Sequence, residues 1–188
     1  GVPVAERLGL AATTPLVTAY TLSLGTPESM GDAAKAAAAR PLLKVKLGGD
    51  GDPDRIAAVR AGAPQARLIV DANEAWRTAN LAANLAACEA AGVELIEQPL
   101  PAGDDDALRG LTTPIALCAD ESLHTVADLA SLRDRYSAIN IKLDKAGGLT
   151  EALVIAAEAK RLGHRIMIGC MVGTSLAMAP AAILARIA

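Results

Sequence analysis

Charged residues recur in this chain at an interval that would bring them together. Lys44 and Lys46, Asp71, Glu97, Asp120 with Glu121, and Lys142 with Asp144 each fall at the end of a short apolar run. Counting on from Lys46, the steps to Asp71, Glu97, Asp120 and Lys142 are 25, 26, 23 and 22 residues by subtraction. That is the length of one strand-plus-helix unit, so each residue would arrive at the same end of successive parallel strands. In parallel barrels that end carries the active site. Three carboxylates converging in an apolar interior repel one another and are costly unless paired or metal-bound. An all-oxygen set without His or Cys suits Mg²⁺. The pattern therefore predicts a metal ion held by Asp71, Glu97 and Asp120, with Lys46 and Lys142 on flanking strands at opposite sides. A lysine beside a metal ion and other lysines has a depressed pKa and becomes a competent general base near neutral pH. Such a constellation suits proton abstraction next to a carboxylate, with the metal neutralising the enediolate as it forms. Bases on both faces would return the proton from the side opposite its removal, which epimerises or racemises the carbon.

The elements that must carry these residues alternate along the chain. Strand-like runs at Leu16–Leu24, Leu42–Leu47, Arg67–Asp71, Leu95–Glu97, Ile115–Ala119, Ala138–Leu143 and Ile166–Ile168 are separated by Gly/Pro/Asp punctuation and helical Ala/Leu patterns. The helices are expected at Glu28–Ala39, Pro53–Ala61, Thr78–Ala91, Asp104–Gly110, Val126–Arg133, Leu149–Leu162 and Ser175–Ala188. Asp52 before Pro53 and a capping Thr78 mark helix starts, while Gly92 and Gly163 fit helix stops. Strands alternating with helices imply parallel pairing through right-handed crossovers. The fold class expected is α/β, a (β/α)8 TIM-type barrel of which this chain carries about seven units. Residues 1–13 read as the tail of a preceding helix and 14–188 as the incomplete barrel, so the chain looks cut at both ends.

Bulk properties exclude several other classes. At 188 residues, with 52% hydrophobic and 21% charged residues, the chain can bury one globular core. A formal charge of −3 and the lack of any Lys/Arg run argue against a nucleic-acid partner. Residues 166–185 carry no charge over about the length of a membrane span, but Gly169, Gly173 and Pro180 break the stretch, and no membrane partner is expected. Cys88, Cys118 and Cys170 are too dispersed for a metal site and read as reduced, buried thiols of a cytoplasmic protein. His124 and His164 are expected on helix surfaces. Trp76 either covers the barrel mouth or fills a gap between helix and loop. Asp104, Asp105 and Asp106 read as a helix N-terminus complementing the dipole.

Taken together, Lys44-Val45-Lys46, Asp71-Ala72-Asn73, Glu97-Gln98-Pro99, Ala119-Asp120-Glu121-Ser122 and Ile141-Lys142-Leu143-Asp144 resemble the enolase superfamily, in particular its muconate-lactonizing subgroup. The resemblance implies an acid/base pair in Lys46 and Lys142, and Mg²⁺ ligands in Asp71, Glu97 and Asp120, with one ion per subunit and Mn²⁺ as a substitute. It further implies that Lys44 and Thr21 meet a substrate carboxylate, with Asn73, Asp144, Gly169, Cys170 and Met171 as further substrate contacts. Ile168-Gly169-Cys170-Met171, Gly173-Thr174-Ser175 and Tyr20-Thr21 are similar to segments of dipeptide epimerases that act on L-Ala-D/L-Glu. The activity implied is inversion of the Cα of a small dipeptide from cell-wall peptides, in a possible homo-oligomer. An N-acylamino acid racemase, a muconate cycloisomerase or an acid-sugar dehydratase are alternatives within the superfamily. A metal-binding remnant without catalysis is the alternative outside it. Members of the family also carry a capping domain and an eighth strand, which are expected to be missing from this chain.

Overall fold

The computed structural model describes residues 1–10 and 15–188. The expected boundary between residues 13 and 14 lies outside the described residues. One helical turn, α1 (Val4–Arg7), stands where the tail of a preceding helix was expected. Seven strands follow: β1 (Tyr20–Leu22), β2 (Leu42–Lys46), β3 (Arg67–Asp71), β4 (Val93–Glu97), β5 (Ala116–Ala119), β6 (Ala138–Ile141) and β7 (Arg165–Ile168). They pair in sequence order, all parallel, with β1 and β7 at the two edges of the sheet.

The alternation of side chains divides the interior in two. On β2, Leu43 and Val45 are fully buried in the main core with residues of the covering helices, such as Met30, Ile56 and Val59. Leu42 joins a second cluster with Ile69, Leu95, Ala116, Cys118, Ala138 and Met167, which fills the concave side of the sheet. Small side chains at Ala116, Cys118 and Ala138 leave room there for the longer ones. Above this apolar layer, at the C-terminal strand ends, the charged residues emerge.

Helices α2 (Pro27–Ala36), α3 (Asp52–Gly62), α4 (Thr78–Ala90), α7 (Leu149–Leu162) and α8 (Ser175–Leu184) supply the outer layer. α2 and α3 approach so closely that a Cβ on Gly62 would stand 2.3 Å from the carbonyl oxygen of Gly31. One expected helix is much shorter, and another is helical almost throughout but changes type along its length. Residues 104–110 form only a 3-10 turn at Asp106–Leu108, and 126–133 a 3-10 turn followed by α5 (Leu129–Leu132). One turn not foreseen, α6 (Leu143–Ala146), begins where the sixth strand was expected to end. Thr78 is not a cap: the backbone N–H of Arg77 instead donates to Asn80 Oδ1 at 2.8 Å. Gly92 and Gly163 stop their helices at positive φ, as expected.

Candidate active site

β2 delivers both lysines of the first motif to the concave face, because Lys44 and Lys46 are two residues apart on one strand. Register then sets their neighbours: Lys46 lies opposite Asp71, Asp71 opposite Glu97, and Thr21 opposite Lys44. Asp120 and Lys142 follow immediately after β5 and β6. The structure thus brings together all five residues of the expected catalytic and metal-binding set. Asp71, Glu97 and Asp120 are at most 1% exposed.

The arrangement is a compact lattice of ion pairs. Lys44 Nζ bridges two carboxylates, at 2.5 Å from Glu97 Oε2 and 2.9 Å from Asp71 Oδ2. Lys46 Nζ donates to Asp71 Oδ2 at 2.6 Å and to Asn73 Oδ1 at 2.7 Å. Lys142 and Lys145 both donate to Asp120, on its Oδ2 and Oδ1, each at 2.5 Å. Lys145 also donates to the Asp120 backbone carbonyl. Among the described residues no three carboxylate, imidazole or thiol groups close around a common point, because the acids are turned onto lysines instead. The three acids thus stand at neighbouring strand ends without forming a cage, and ammonium groups balance their charge.

Electrostatics follow from this packing. Burial and the neighbouring Asp71 push the Glu97 carboxyl up to about 7, with Lys44 opposing them. Burial works against the Asp120 carboxylate, yet hydrogen bonds from Lys142 and Lys145 hold its pKa below the ordinary aspartate value. Burial likewise disfavours the ammonium groups of Lys44 and Lys142, but their carboxylate partners outweigh it and raise both pKa values. For Lys142 the depressed pKa expected from the sequence is thus reversed in this lattice. An anion in hydrogen-bond contact exceeds the repulsion of neighbouring lysines.

The remaining expected contacts divide. Thr21, Lys44, Lys142, Gly169 and Cys170 all line a cleft of about 930 Å³ that runs along the concave face between the β1 and β7 edges. Asn73 belongs to the lattice, with φ +43° and its Nδ2 donating to Glu121 Oε1 at 3.3 Å. Asp144 is exposed on α6, and Met171 is 52% exposed beyond the cleft. Cys170 is exposed as well, whereas Cys88 and Cys118 are buried thiols as expected. His164 is buried, not at a helix surface, and burial lowers its pKa.

Several contributors have no strand-end signal. Asn140, fully buried on β6, donates through Nδ2 to Glu97 Oε1 at 2.8 Å, while its Oδ1 has no partner. Gly169 packs against it so tightly that a Cβ there would stand 2.5 Å from Asn140 Oδ1. Trp76 is buried, and its Nε1 donates to Asp52 Oδ2 at 2.8 Å. Asp52 also accepts from the backbone N–H groups of Gly48 and Gly49. This ties the loop after Lys46 to the loop after Asp71. Asp105 stands at the start of the 3-10 turn, as expected, but its side chain makes no cap hydrogen bond; it is buried and accepts from Ser122, Tyr136 and Arg135.

The donor chemistry of Asp71, Glu97 and Asp120 fits a hard divalent cation: all oxygen, anionic and buried, with each acid already paired to an ammonium group. The unpartnered Asn140 oxygen beside Glu97 adds a further buried acceptor.

Comparison with known proteins gives a consistent picture. The chain is 51% identical over 183 residues to an N-acetyl-D-glutamate racemase from Pseudoalteromonas sp., covering 97% of this chain and 58% of that protein. It is 46% identical over 179 residues to the L-Ala-D/L-Glu epimerase of Escherichia coli (strain K12), covering 94% of this chain and 56% of the epimerase. Among solved structures, an enolase family member from Agrobacterium tumefaciens with homology to dipeptide epimerases, bound to sodium and L-Ala-L-Glu, matches with a TM-score of 0.94 and 57% identity. That match covers 97% of this chain and 56% of the other. A dipeptide epimerase from Methylococcus capsulatus, complexed with Mg and L-Arg-D-Lys, matches with a TM-score of 0.89 and 35% identity over 98% of this chain and 55% of its own. The chain thus spans little more than half the length of these relatives. Residues 29–188 match the family described as enolase C-terminal domain-like, and the chain belongs to that family.

Proposed function

We propose that the protein to which this chain belongs is a Mg²⁺-dependent epimerase that inverts the Cα of a dipeptide such as L-Ala-D/L-Glu by two-base 1,1-proton transfer. The observation that carries the reading is the placement of Lys46 and Lys142 on β2 and after β6, with the three carboxylate-bearing strand ends between them. Asp71, Glu97 and Asp120 would hold the ion, which supplies positive charge for the substrate carboxylate as its α-carbon loses a proton. Lys44, next to Thr21 in the sheet, is suited to pair with that carboxylate once it is released from Glu97 and Asp71. When Asp120 turns away from Lys142, the lysine loses the anion that holds its proton, and general-base action comes within reach of neutral pH. One lysine then removes the α-proton while the other delivers a proton to the opposite face. Asn73 orients Lys46 through the 2.7 Å hydrogen bond. Gly169 and Cys170 line the cleft, where they would meet the substrate; Asp144 and Met171 would meet the portions of it that lie farther out.

A second reading, racemisation of an N-acylated amino acid, is favoured by the relative named N-acetyl-D-glutamate racemase. Proton NMR in D₂O with Mg²⁺ separates the two, using L-Ala-L-Glu and N-acetyl-L-glutamate as parallel substrates for the whole protein. Deuterium uptake at the Glu Cα of the dipeptide with appearance of L-Ala-D-Glu, lost in Lys46→Ala and Lys142→Ala, is the expected result. Exchange of the N-acetyl substrate alone transfers the assignment to the racemase, and exchange of neither rejects both.

A further inference from the structure

Gln98 directly follows Glu97 and is fully buried, yet no step of the proposed chemistry uses it. Its side chain is saturated with hydrogen bonds. Oε1 accepts from the backbone N–H groups of Asp120 at 2.9 Å and Ser122 at 3.1 Å. Nε2, with two N–H groups, has three acceptors within reach: the Leu100 carbonyl at 2.9 Å, Ser122 Oγ at 2.9 Å and Tyr136 Oη at 3.0 Å. Its backbone is engaged as fully: the N–H donates to the Cys118 carbonyl at 2.8 Å, and the carbonyl accepts from Glu74 N–H at 2.9 Å. A φ of +36° at a residue that is not glycine shows that these bonds hold it against its own preference.

The partners matter because of where they sit. Glu74 lies three residues after Asp71, Gln98 one after Glu97, and Asp120 is itself a carboxylate of the set. One residue therefore joins the loop segments that leave all three acidic strand ends. Below it, Tyr136 and Ser122 pass the support to buried Asp105. We propose that Gln98 is a positioning residue that fixes the mutual spacing of Asp71, Glu97 and Asp120, and thereby favours a small divalent cation over a larger one. The inference rests on the reading of those three acids as metal ligands. Its physical basis is that Mg²⁺ demands near-ideal octahedral geometry, whereas Ca²⁺ accepts irregular sets of oxygens. A loosened frame should therefore harm Mg²⁺ binding more than Ca²⁺ binding. Partners that orient metal ligands typically change affinity about 10–100-fold when removed.

Calorimetric titration of the whole protein with Mg²⁺ and with Ca²⁺ tests this in wild type, Gln98→Met and Gln98→Glu. Gln98→Met keeps the length and loses every side-chain hydrogen bond; its Mg²⁺ affinity should fall about ten-fold or more, and its Ca²⁺ affinity less than about three-fold. Gln98→Glu retains the acceptor for Asp120 and Ser122 and should recover most of the Mg²⁺ preference. If Gln98→Met does not fold, Ser122→Ala carries the same comparison, with an expected fall of about three-fold in the Mg²⁺/Ca²⁺ affinity ratio. Wild type that binds no Mg²⁺ overturns the metal reading and this inference with it. Wild type that binds, beside a folded variant whose ratio is unchanged, overturns the inference alone.

Discussion

Lys44→Met is the most informative single change, because among the described residues Lys44 alone bridges two of the buried acids. Its side chain is 13% exposed, and Glu97 and Asp71 are essentially inaccessible. Breaking a buried ion pair by removing one partner costs about 3–5 kcal/mol. The lower end applies here, since Glu97, already raised to about 7, can take a proton and limit the loss. We expect about 3 kcal/mol at pH 8 without Mg²⁺, or roughly 6–12 °C in Tm for a domain of this size.

The pH dependence has a definite sign. The folded pKa of Glu97 lies above its unfolded value, so its stabilising contribution is full below the unfolded pKa and is lost as pH rises through about 7. Without Lys44 the folded pKa moves higher still. The variant therefore gains stability between pH 8 and 7, where wild type gains little, and the gap narrows by about 1 kcal/mol. Below pH 7 both proteins take up the same proton and the gap levels off. Saturating Mg²⁺ should close most of it at pH 8, because the ion replaces the missing charge and no longer competes with an ammonium; at 100 times its Kd a ligand contributes about 2.7 kcal/mol. Urea denaturation at pH 8, 7 and 6, with and without Mg²⁺, measures each quantity. Equal losses at every pH and in both metal conditions would refute the electrostatic account.

Two further substitutions probe the supports of the site. Gly169→Ala places a methyl group 2.5 Å from Asn140 Oδ1, so Asn140 must leave Glu97 or the backbone must shift. We expect a loss of about 1–3 kcal/mol and weaker Mg²⁺ binding, read by thermal melts and calorimetry, and unchanged Mg²⁺ affinity would contradict the contact. Trp76→Phe removes the bond to Asp52 and should cost about 1.5–3 kcal/mol in urea titration; a change below 0.5 kcal/mol, on the order of an ordinary surface substitution, would show that Asp52 is held adequately by Gly48, Gly49 and Arg55.

The strand-end residues were legible in the sequence for a simple reason. A charge that interrupts an apolar run at the βα repeat length has few alternative placements, and Lys46, Asp71, Glu97, Asp120 and Lys142 all occupy the expected strand ends. Asn140, Gln98 and Asp105 carried no comparable signal, because apart from the Leu100 carbonyl beside Gln98 their partners lie 43, 22 to 38 and 17 to 31 residues away along the chain. Only the curved sheet and its loops bring those partners within reach. His164 looked like a surface residue because nothing local distinguishes a helix exit that is exposed from one folded back under the sheet edge. The helix at 104–110 was overestimated, because its apolar anchor, Leu108, is buried by a single 3-10 turn, whereas the stretch at 126–133 is helical over nearly its whole expected length. The direction of the lysine pKa shifts was beyond the sequence in principle, since it depends on whether each carboxylate faces an ammonium or a metal ion.

The in-register ladder from Lys46 through Asp71 to Glu97 acts as a ruler whose only unit is one residue. A single insertion or deletion within β2 or β3 would turn the reacting group to the helix side of the sheet, whereas β4 already absorbs one extra residue, Glu94, by a register shift below Glu97. Gradual change is thus closed to the strands and left to the segments beyond them, where exposed positions such as Met171 and Val172 can vary without resetting the ruler. Libraries aimed at new substrates should therefore hold strand lengths constant and vary the length and composition of those outer segments.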